Sequence, residues 1–486
     1  MTPNRLRDWR SGLAAVHRYL GIGLCLLFAM WFASGAVMVF RPYPAQTEAQ
    51  RFACLEPIDI EQVTVHPSLL SRASTHETSA LRLTSLTDRA VVHVHGPDGI
   101  DSYWADTGDG PIHVDEALAR RVVQRCGDGA IEHLQTIADD QWTVHEGFAD
   151  HRPLHRVRLS DPRATVLYVS SQTGEIVQRT TRATRGWSWA GSVPHWLYAT
   201  AIRRHWALWD GLVWWLSMAG TIGVATGLVM GVVRWRASAR SRVSPYPYQG
   251  AMYWHHVSGL GGGAVVLAWM LSGGLSMDHG RWFSTGAPMP EQHLRLAGTT
   301  RFAGDPQTVF AELSDTDSVK EIEWLRVAGR PYVTARVGPG RQWTANVDRP
   351  GELQAVFDAQ MFARVQAVLV SGAGVRDHGV LEQFDTYYYG RDHAPRPLPI
   401  LRVRYDDPAD TWLHIDLTTG RLLERLDASR RSYRIWFNAL HSHDFPWMLD
   451  RPRLRRTWIV ALCVLGCLFS CNGVWIAWKR LRPTQT

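Results

Sequence analysis

Six cysteines are few for a chain of 486 residues, and none forms a Cys-x-x-Cys pair, so zinc-ribbon and iron–sulfur signatures are excluded. There is no glycine-rich nucleotide fingerprint and no flavin-like segment, so an electron donor would have to come from outside the chain. Four long apolar blocks lack the buried Asp, Glu or Lys that mark an ion path, which argues against a metal-handling permease.

What is present points to a membrane. The mean hydropathy is slightly negative, yet the apolar residues concentrate at 19–40, 211–233, 257–277 and 457–478, each long enough to cross a bilayer. Many of the 23 tryptophans flank these blocks, as at a membrane interface. The net charge of +7 is uneven: Arg5, Arg7 and Arg10 precede the first block, Arg234, Arg236, Arg240 and Arg242 separate the second from the third, and Lys479, Arg480 and Arg482 follow the fourth. The positive-inside rule puts those segments in the cytoplasm, and it explains the basic charge without nucleic acid. The expected order is a cytoplasmic N-terminus (1–16), a span (17–40), an outer domain (41–194) and an interfacial segment with the second span (195–233). A cytoplasmic loop (234–253), a third span (254–277) and a second outer domain (278–440) follow, then an interfacial segment with the fourth span (441–478) and a cytoplasmic tail (479–486). The basic start of the first block and the small residues Ala33, Ser34, Gly35 and Ala36 also fit a cleaved signal peptide, but the block is longer than a signal core.

The two halves share a register. His17, Gly21, Trp31, Ser34 and Gly35 align with His255, Gly259, Trp269, Ser272 and Gly273 at a constant offset of 238 residues. His195, Gly220, Gly227 and Arg234 align with His441, Gly466, Gly473 and Arg480 at 246, as do Arg158, Asp161, Pro162, Thr165 and Gly174 with Arg404, Asp407, Pro408, Thr411 and Gly420. This predicts a parallel tandem repeat about an axis along the membrane normal. Each outer segment reads as α+β. The second predicts a helix at 306–313, strands at 322–327, 332–337 and 342–347, a helix at 353–370, and strands at 400–405, 411–416 and 421–425. The first predicts the same order: 60–69, strands at 81–85, 90–95 and 102–105, a helix at 114–125, and strands up to 178. Cys54 and Cys126 could pair as a disulfide in an oxidising compartment.

Among 21 histidines, four fall at matched places. His17 and His255 open spans from the cytoplasmic side, and His195 and His441 lie on the outer side. Facing imidazoles across a twofold axis suit a six-coordinate haem, so two b-type haems are expected, on His17/His255 and on His195/His441. Each histidine alone could be an interfacial anchor, and His205, His256, His279 and His443 are close enough to substitute. Three further features have competing readings. Cys463, Cys467 and Cys471 form a stripe that packs a helix seam or binds metal. His93 and His95 share a strand face that is solvated or metal-binding. Asp385–Tyr389, with Arg391 and His393, is a ligand contact or a packed sheet edge.

The chain resembles the PepSY-associated transmembrane family. The likeness is carried by His17-Arg-Tyr-Leu-Gly21 with Ser34-Gly35, by Tyr168-Val-Ser-Ser-Gln-Thr-Gly-Glu-Ile-Val177 and by Pro194-His-Trp-Leu-Tyr198. His255-His-Val-Ser-Gly259 with Ser272-Gly273, and Leu440-His441 with the Gly473 span, extend it. The hairpins at Gly174 and Gly420 are similar to the end of a PepSY module. Some members are inner-membrane reductases that use haem to reduce ferric siderophores in the periplasm. The resemblance therefore implies a bacterial inner-membrane electron conduit with periplasmic domains, fed by a cytoplasmic or quinol donor. The alternative it leaves open is a non-redox membrane protein that binds or regulates a periplasmic protein such as a peptidase.

Overall fold

The computed structural model describes residues 3–74, 78–96, 98–126, 129–240, 246–298, 302, 318–390 and 395–482. The helix expected at 306–313, together with Arg242, Arg391 and His393, lies outside the described residues.

Among the described residues four helices are long and apolar enough to cross a membrane: span 1 within Pro3–Met38, span 2 Trp206–Ala239, span 3 Gly250–Ser276 and span 4 Pro452–Leu481. Spans 1, 2 and 3 extend a turn or more past their apolar blocks on the basic side and span 4 three residues, and spans 2 and 4 also begin earlier than predicted. Span 1 packs along span 4 and span 2 along span 3, with span 1–span 2 and span 3–span 4 contacts completing the bundle. Small residues bring the helices close: a Cβ on Gly263 would lie 2.6 Å from Leu228 and one on Gly466 2.6 Å from Phe32.

The segments between the spans form three antiparallel sheets. Strands β1 (Ala80–Leu86), β2 (Arg89–Gly96) and β3 (Gly99–Trp104) precede a sheet of β4 (Ile131–Ile137), β5 (Leu154–Leu159), β6 (Val166–Ser170) and β7 (Ile176–Thr180). The second segment has β8 (Glu321–Val327), β9 (Arg330–Gly338), β10 (Arg341–Asn346) and β11 (Arg349–Gln354), one strand more than the first at this place, then β12 (Val375–Leu381), β13 (Ile400–Tyr405), β14 (Trp412–Asp416) and β15 (Leu422–Leu426). The two segments do not keep their sheets apart. β1 pairs with β8, Arg82 opposite Glu323, giving one seven-stranded sheet in the order β11-β10-β9-β8-β1-β2-β3. Strand alternation sends Leu81, Leu83, Val92, Ile322, Trp324 and Val333 to one core and Arg82, Glu321 and Glu323 to the opposite face. Matched residues make matched bonds: Asp161 accepts from the Thr165 amide and hydroxyl at 2.6 and 2.8 Å, and Asp407 accepts from Thr411 at the same distances. Gly174 and Gly420 both take positive φ, and a Cβ on either would lie 2.6 Å from Leu86 or Val327, so the two small-sheet hairpins seat directly on the ends of β1 and β8. Cys54 and Cys126 are disulfide-bonded.

The helix expected at 353–370 is not formed. That stretch is edge strand β11 followed by single 3-10 turns at Ala359–Phe362 and Gln366–Val368. Pro350 and Gly351 lie in that edge strand. The helix-like apolar spacing instead drops Phe357, Phe362 and Leu369 one by one into the core beside β13 and β14.

Two facing histidine pairs as the candidate functional site

The four matched histidines meet in two pairs. His17 of span 1 faces His255 of span 3 with ring centres 6.1 Å apart. His195, closing the short helix Ser192–His195, faces His441 of the short helix Leu440–Ser442 with ring centres 6.2 Å apart. Two imidazoles bonded to opposite sides of one metal ion would have centres about 6.3 Å apart, from metal–nitrogen bonds of about 2.0–2.1 Å plus the nitrogen-to-centre distance on each side. Both pairs match that spacing. The seventeen residues from His17 to Ser34, which contacts His195, separate the pairs by about 25 Å along span 1.

The rings are held by their other nitrogens. His17 Nδ1 lies 2.8 Å from the Gly223 carbonyl, and His195 Nδ1 lies 3.1 Å from the Trp31 carbonyl and 3.3 Å from Ser34 Oγ. His441 Nδ1 lies 3.1 Å from Ser272 Oγ. A carbonyl can only accept, so the neutral His17 and His195 rings carry their proton on Nδ1 and keep a bare Nε2, the state a metal ligand needs. His255 differs: its Nδ1 is buried with no hydrogen-bond partner, and its ring stacks on Phe469 at 4.9 Å. The His441 ring stacks on Phe437 at 5.2 Å. Glycines clear space beside the rings. A Cβ on Gly227 would lie 2.5 Å from His17 Cε1, one on Gly35 3.2 Å from His195 Cε1, and one on Gly273 3.5 Å from His441 Cε1. The inner pair opens into a largely apolar cavity of about 230 Å³ lined by Phe28, Gly223, Gly259, Phe469 and Gly473 among others. At the inner pair two facing imidazoles stand beside a glycine-walled apolar cavity, with His17 Nδ1 anchored and His255 Nδ1 unpartnered; two such imidazoles are the donor set of a metal ion with two axial ligands.

Two of the four substitutes are engaged elsewhere, while His443 keeps a buried Nε2 without a hydrogen-bond partner. His256 Nε2 lies 3.0 Å from the Gly231 carbonyl and ties span 3 to span 2. His279 pairs with Asp210 at 2.5 Å and stacks on Trp214. His443 sits against Trp269, and His205 is exposed at the start of span 2. Cys463 is buried while Cys471 is exposed, and among the described residues no group of three or more His, Cys, Asp or Glu is placed to hold a metal ion. The expected solvated face of His93 is a correction. His93 is fully buried, bonded to Thr84 at 2.9 Å and Ser102 at 2.8 Å, and burial pushes its pKa down to about 3. Both of its nitrogens are satisfied inside the sheet contact. In the 385–389 run, Tyr388 is fully buried and Asp385 accepts from Arg402 and from the Tyr387 and Tyr388 amides, the packed-edge arrangement.

One feature escaped sequence reasoning. The polar face of the seven-stranded sheet and the two hairpins enclose a cleft of about 780 Å³ around an ion-pair network. Glu321 pairs with Arg51 at 2.7 Å, Arg82 at 3.0 Å and Arg336 at 2.9 Å, while Glu175 pairs with Arg82 and with Arg51 at 3.3 Å. Burial opposes the charge on Glu321, but the attraction of Arg82 and Arg51 outweighs it and brings its pKa to about 2. The charges come from five separated places in the sequence, so no local pattern announces them.

Four helices long and apolar enough to cross a membrane, joined by sheet-built domains, define an integral membrane protein of mixed α and α+β build. The family model for the PepSY-associated TM region matches residues 14–480, and the chain belongs to that family. A search of curated proteins gives no match.

Proposed function

We propose that this protein is a di-haem electron-transfer protein of a bacterial inner membrane that reduces a periplasmic acceptor, with a ferric siderophore favoured. The carrying observation is the two imidazole pairs, each at the spacing of two ligands on one ion, at opposite ends of an apolar bundle. His17 and His255 would hold one haem b, and His195 and His441 the other. Bound haem supplies one-electron chemistry; the chain sets ligation, distance and access. Phe28 against Trp31, and Phe32 against Trp269, fill the interval between the pairs and keep water out of it.

The remaining features support one orientation. Arg234, Arg236, Arg240, Lys479 and Arg480 lie at the ends of spans 2 and 4, which favours a cytoplasmic location there. The Cys54–Cys126 disulfide favours an oxidising compartment for the sheets. The constant register and the β1–β8 pairing support a parallel tandem repeat whose axis passes between Arg82 and Glu323. On that reading the 780 Å³ cleft lies on the same axis as both imidazole pairs and is the natural place to receive an acceptor from the periplasm. Reducing Fe(III) to Fe(II) weakens its hold on hard oxygen ligands, which would release the metal. The donor is external, either cytoplasmic or a quinol.

The test is a dithionite-reduced minus oxidised visible spectrum of the detergent-purified protein with haem stoichiometry. Low-spin b-type bands at about two haems per chain are expected from two bis-histidine sites. The reduced protein should then convert a ferric siderophore to Fe(II), read with a ferrous-specific chromogenic chelator. A folded protein made with ample haem that stays colourless would reject the reading and leave the non-redox, partner-binding role ahead.

A further inference from the structure

We infer that Ser34 and Ser272 are positioning residues for the outer pair: each hydroxyl accepts from its histidine's Nδ1–H and so holds the tautomer whose Nε2 carries the lone pair a metal ligand needs. This rests on the reading of His195 and His441 as axial ligands. The two serines are 2% and 0% exposed and hold matched places on spans 1 and 3. A serine hydroxyl has one proton to donate. Ser34 directs it into its own helix, with the Met30 carbonyl at 2.6 Å and the Trp31 carbonyl at 3.1 Å; for Ser272 the Trp269 carbonyl at 3.3 Å offers the same outlet. What remains for His195 and His441 is an oxygen lone pair, 3.3 and 3.1 Å from Nδ1. An acceptor at that position requires the imidazole proton on Nδ1.

The residue after each serine completes the seat. Gly35 leaves the His195 Cε1 edge unobstructed, where a Cβ would press on it at 3.2 Å, while at Gly273 a Cβ would only reach ordinary contact with His441 Cε1 at 3.5 Å. Serine followed by glycine is thus an acceptor beside a clearance on span 1, and an acceptor beside a looser contact on span 3. Bonding to a helix's own carbonyl is the ordinary role of a buried helical serine. It does not account for a lone pair aimed at an imidazole in both copies. The inner pair has no such seat, because His17 is anchored by the Gly223 carbonyl of span 2.

An accepted Nδ1–H makes the imidazole a more basic ligand and so favours ferric over ferrous iron. Removing both hydroxyls should lower the outer site's ferric preference about tenfold, which for a one-electron couple raises its midpoint by about 59 mV. The two serines should not be equal. His195 retains the Trp31 carbonyl at 3.1 Å as a second acceptor, so Ser272→Ala should shift the outer centre further than Ser34→Ala.

The experiment compares full-length wild type, Ser34→Ala, Ser272→Ala and their double variant by haem content, potentiometric titration and low-temperature EPR. Ser34→Thr and Ser272→Thr, which keep a hydroxyl, serve as rescue. Expected is a shifted or lost outer centre, an unmoved inner centre and Thr variants close to wild type. An unmoved outer midpoint, an equal shift at both centres, or Thr variants that behave like Ala would overturn the inference. Absence of haem from the wild type would overturn the ligand reading instead. In that case nitrogen-15 histidine NMR still tests the seat: both histidines should be Nδ1–H in the wild type, His441 should become mixed in Ser272→Ala while His195, still held by the Trp31 carbonyl, changes less, and an unchanged His441 tautomer would overturn it.

Discussion

The inner and outer histidine pairs share a ring separation and differ in what carries them. His17 and His255 both stand on spanning helices, so the inner pair depends on the bundle alone. His195 and His441 stand on short helices between a small sheet and the next span: β7 leads through Arg182–Ala190 to His195, and β15 leads through Ala428–Tyr433 and a π-helical turn at Arg434–Ala439 to His441. The outer pair therefore joins two machineries, anchored below by Ser34 and Ser272 of the spans and hung above from the sheets. Similar sites can be built in the same chain with one insulated from the outer domains and the other coupled to them.

The strongest way to break the comparison is to delete a ligand from each. His17→Ala should remove the inner haem and keep the outer; His441→Ala should do the reverse, each leaving about one haem per chain. If neither variant loses haem, or each loses both, the two-site assignment fails.

The next effect runs through the sheets. Glu321→Gln leaves Arg51, Arg82 and Arg336 without their shared carboxylate, and breaking a buried pair in this way costs about 3–5 kcal/mol. Denaturant unfolding followed by tryptophan fluorescence should show a destabilised outer region, with the outer haem lost before the inner. Acid should act on the same region. Glu321 titrates in the fold at about 2, below its ordinary 4.5, so its contribution is complete above that ordinary value and is lost as pH falls toward 2. His93 titrates at about 3 instead of 6.5, so its contribution is complete above pH 6.5 and shrinks as pH falls through that window. The signs agree. Acidification from pH 6.5 downward should loosen the sheets and the outer site while the inner site persists; simultaneous loss of both would show that the sites are not separately supported.

Much of this division was legible in the sequence, and the failures have physical causes. The spans, the repeat register and the identity of the four paired histidines follow from hydropathy and from spacing that survives in both halves. The choice of His255 over its neighbour His256 followed from register as well. The shared sheet was not legible, because β1–β8 pairing is decided by a contact between strands some 240 residues apart in sequence. The ion network of Arg51, Arg82, Glu175, Glu321 and Arg336 escaped for the same reason. The false helix at 353–370 arose because apolar residues that fill a core one at a time can mimic a helical face. His93 was misjudged because strand alternation places it on the face opposite the main core, where the small sheets cover it.

A smaller effect grades the space beside each ring. Gly227→Ala should disturb the inner site most, since its Cβ would overlap His17 at 2.5 Å and force the ring to move, at a cost of about 1–3 kcal/mol. Gly35→Ala, at 3.2 Å from His195, should be milder, and Gly273→Ala, at 3.5 Å from His441, nearly silent. Haem retention on a competing apo-haem acceptor gives the order. A reversed order would mean that the rings do not occupy these positions when the site is filled.

The smallest effect sharpens the inner site most. His255 and His256 are adjacent, and either could have been the ligand. His256 spends its Nε2 on the Gly231 carbonyl, with its ring against Tyr248, so its work is to hold span 3 to span 2. His255 leaves its Nδ1 unpaired and turns its ring toward His17. His256→Ala should therefore keep both haems and their low-spin spectra and cost about 1 kcal/mol from one interhelical hydrogen bond. His255→Ala should remove the inner haem. Loss of haem in His256→Ala with retention in His255→Ala would exchange the two roles. Because the residues share a turn, general damage to the helix would strike both variants alike, whereas a ligand role strikes one.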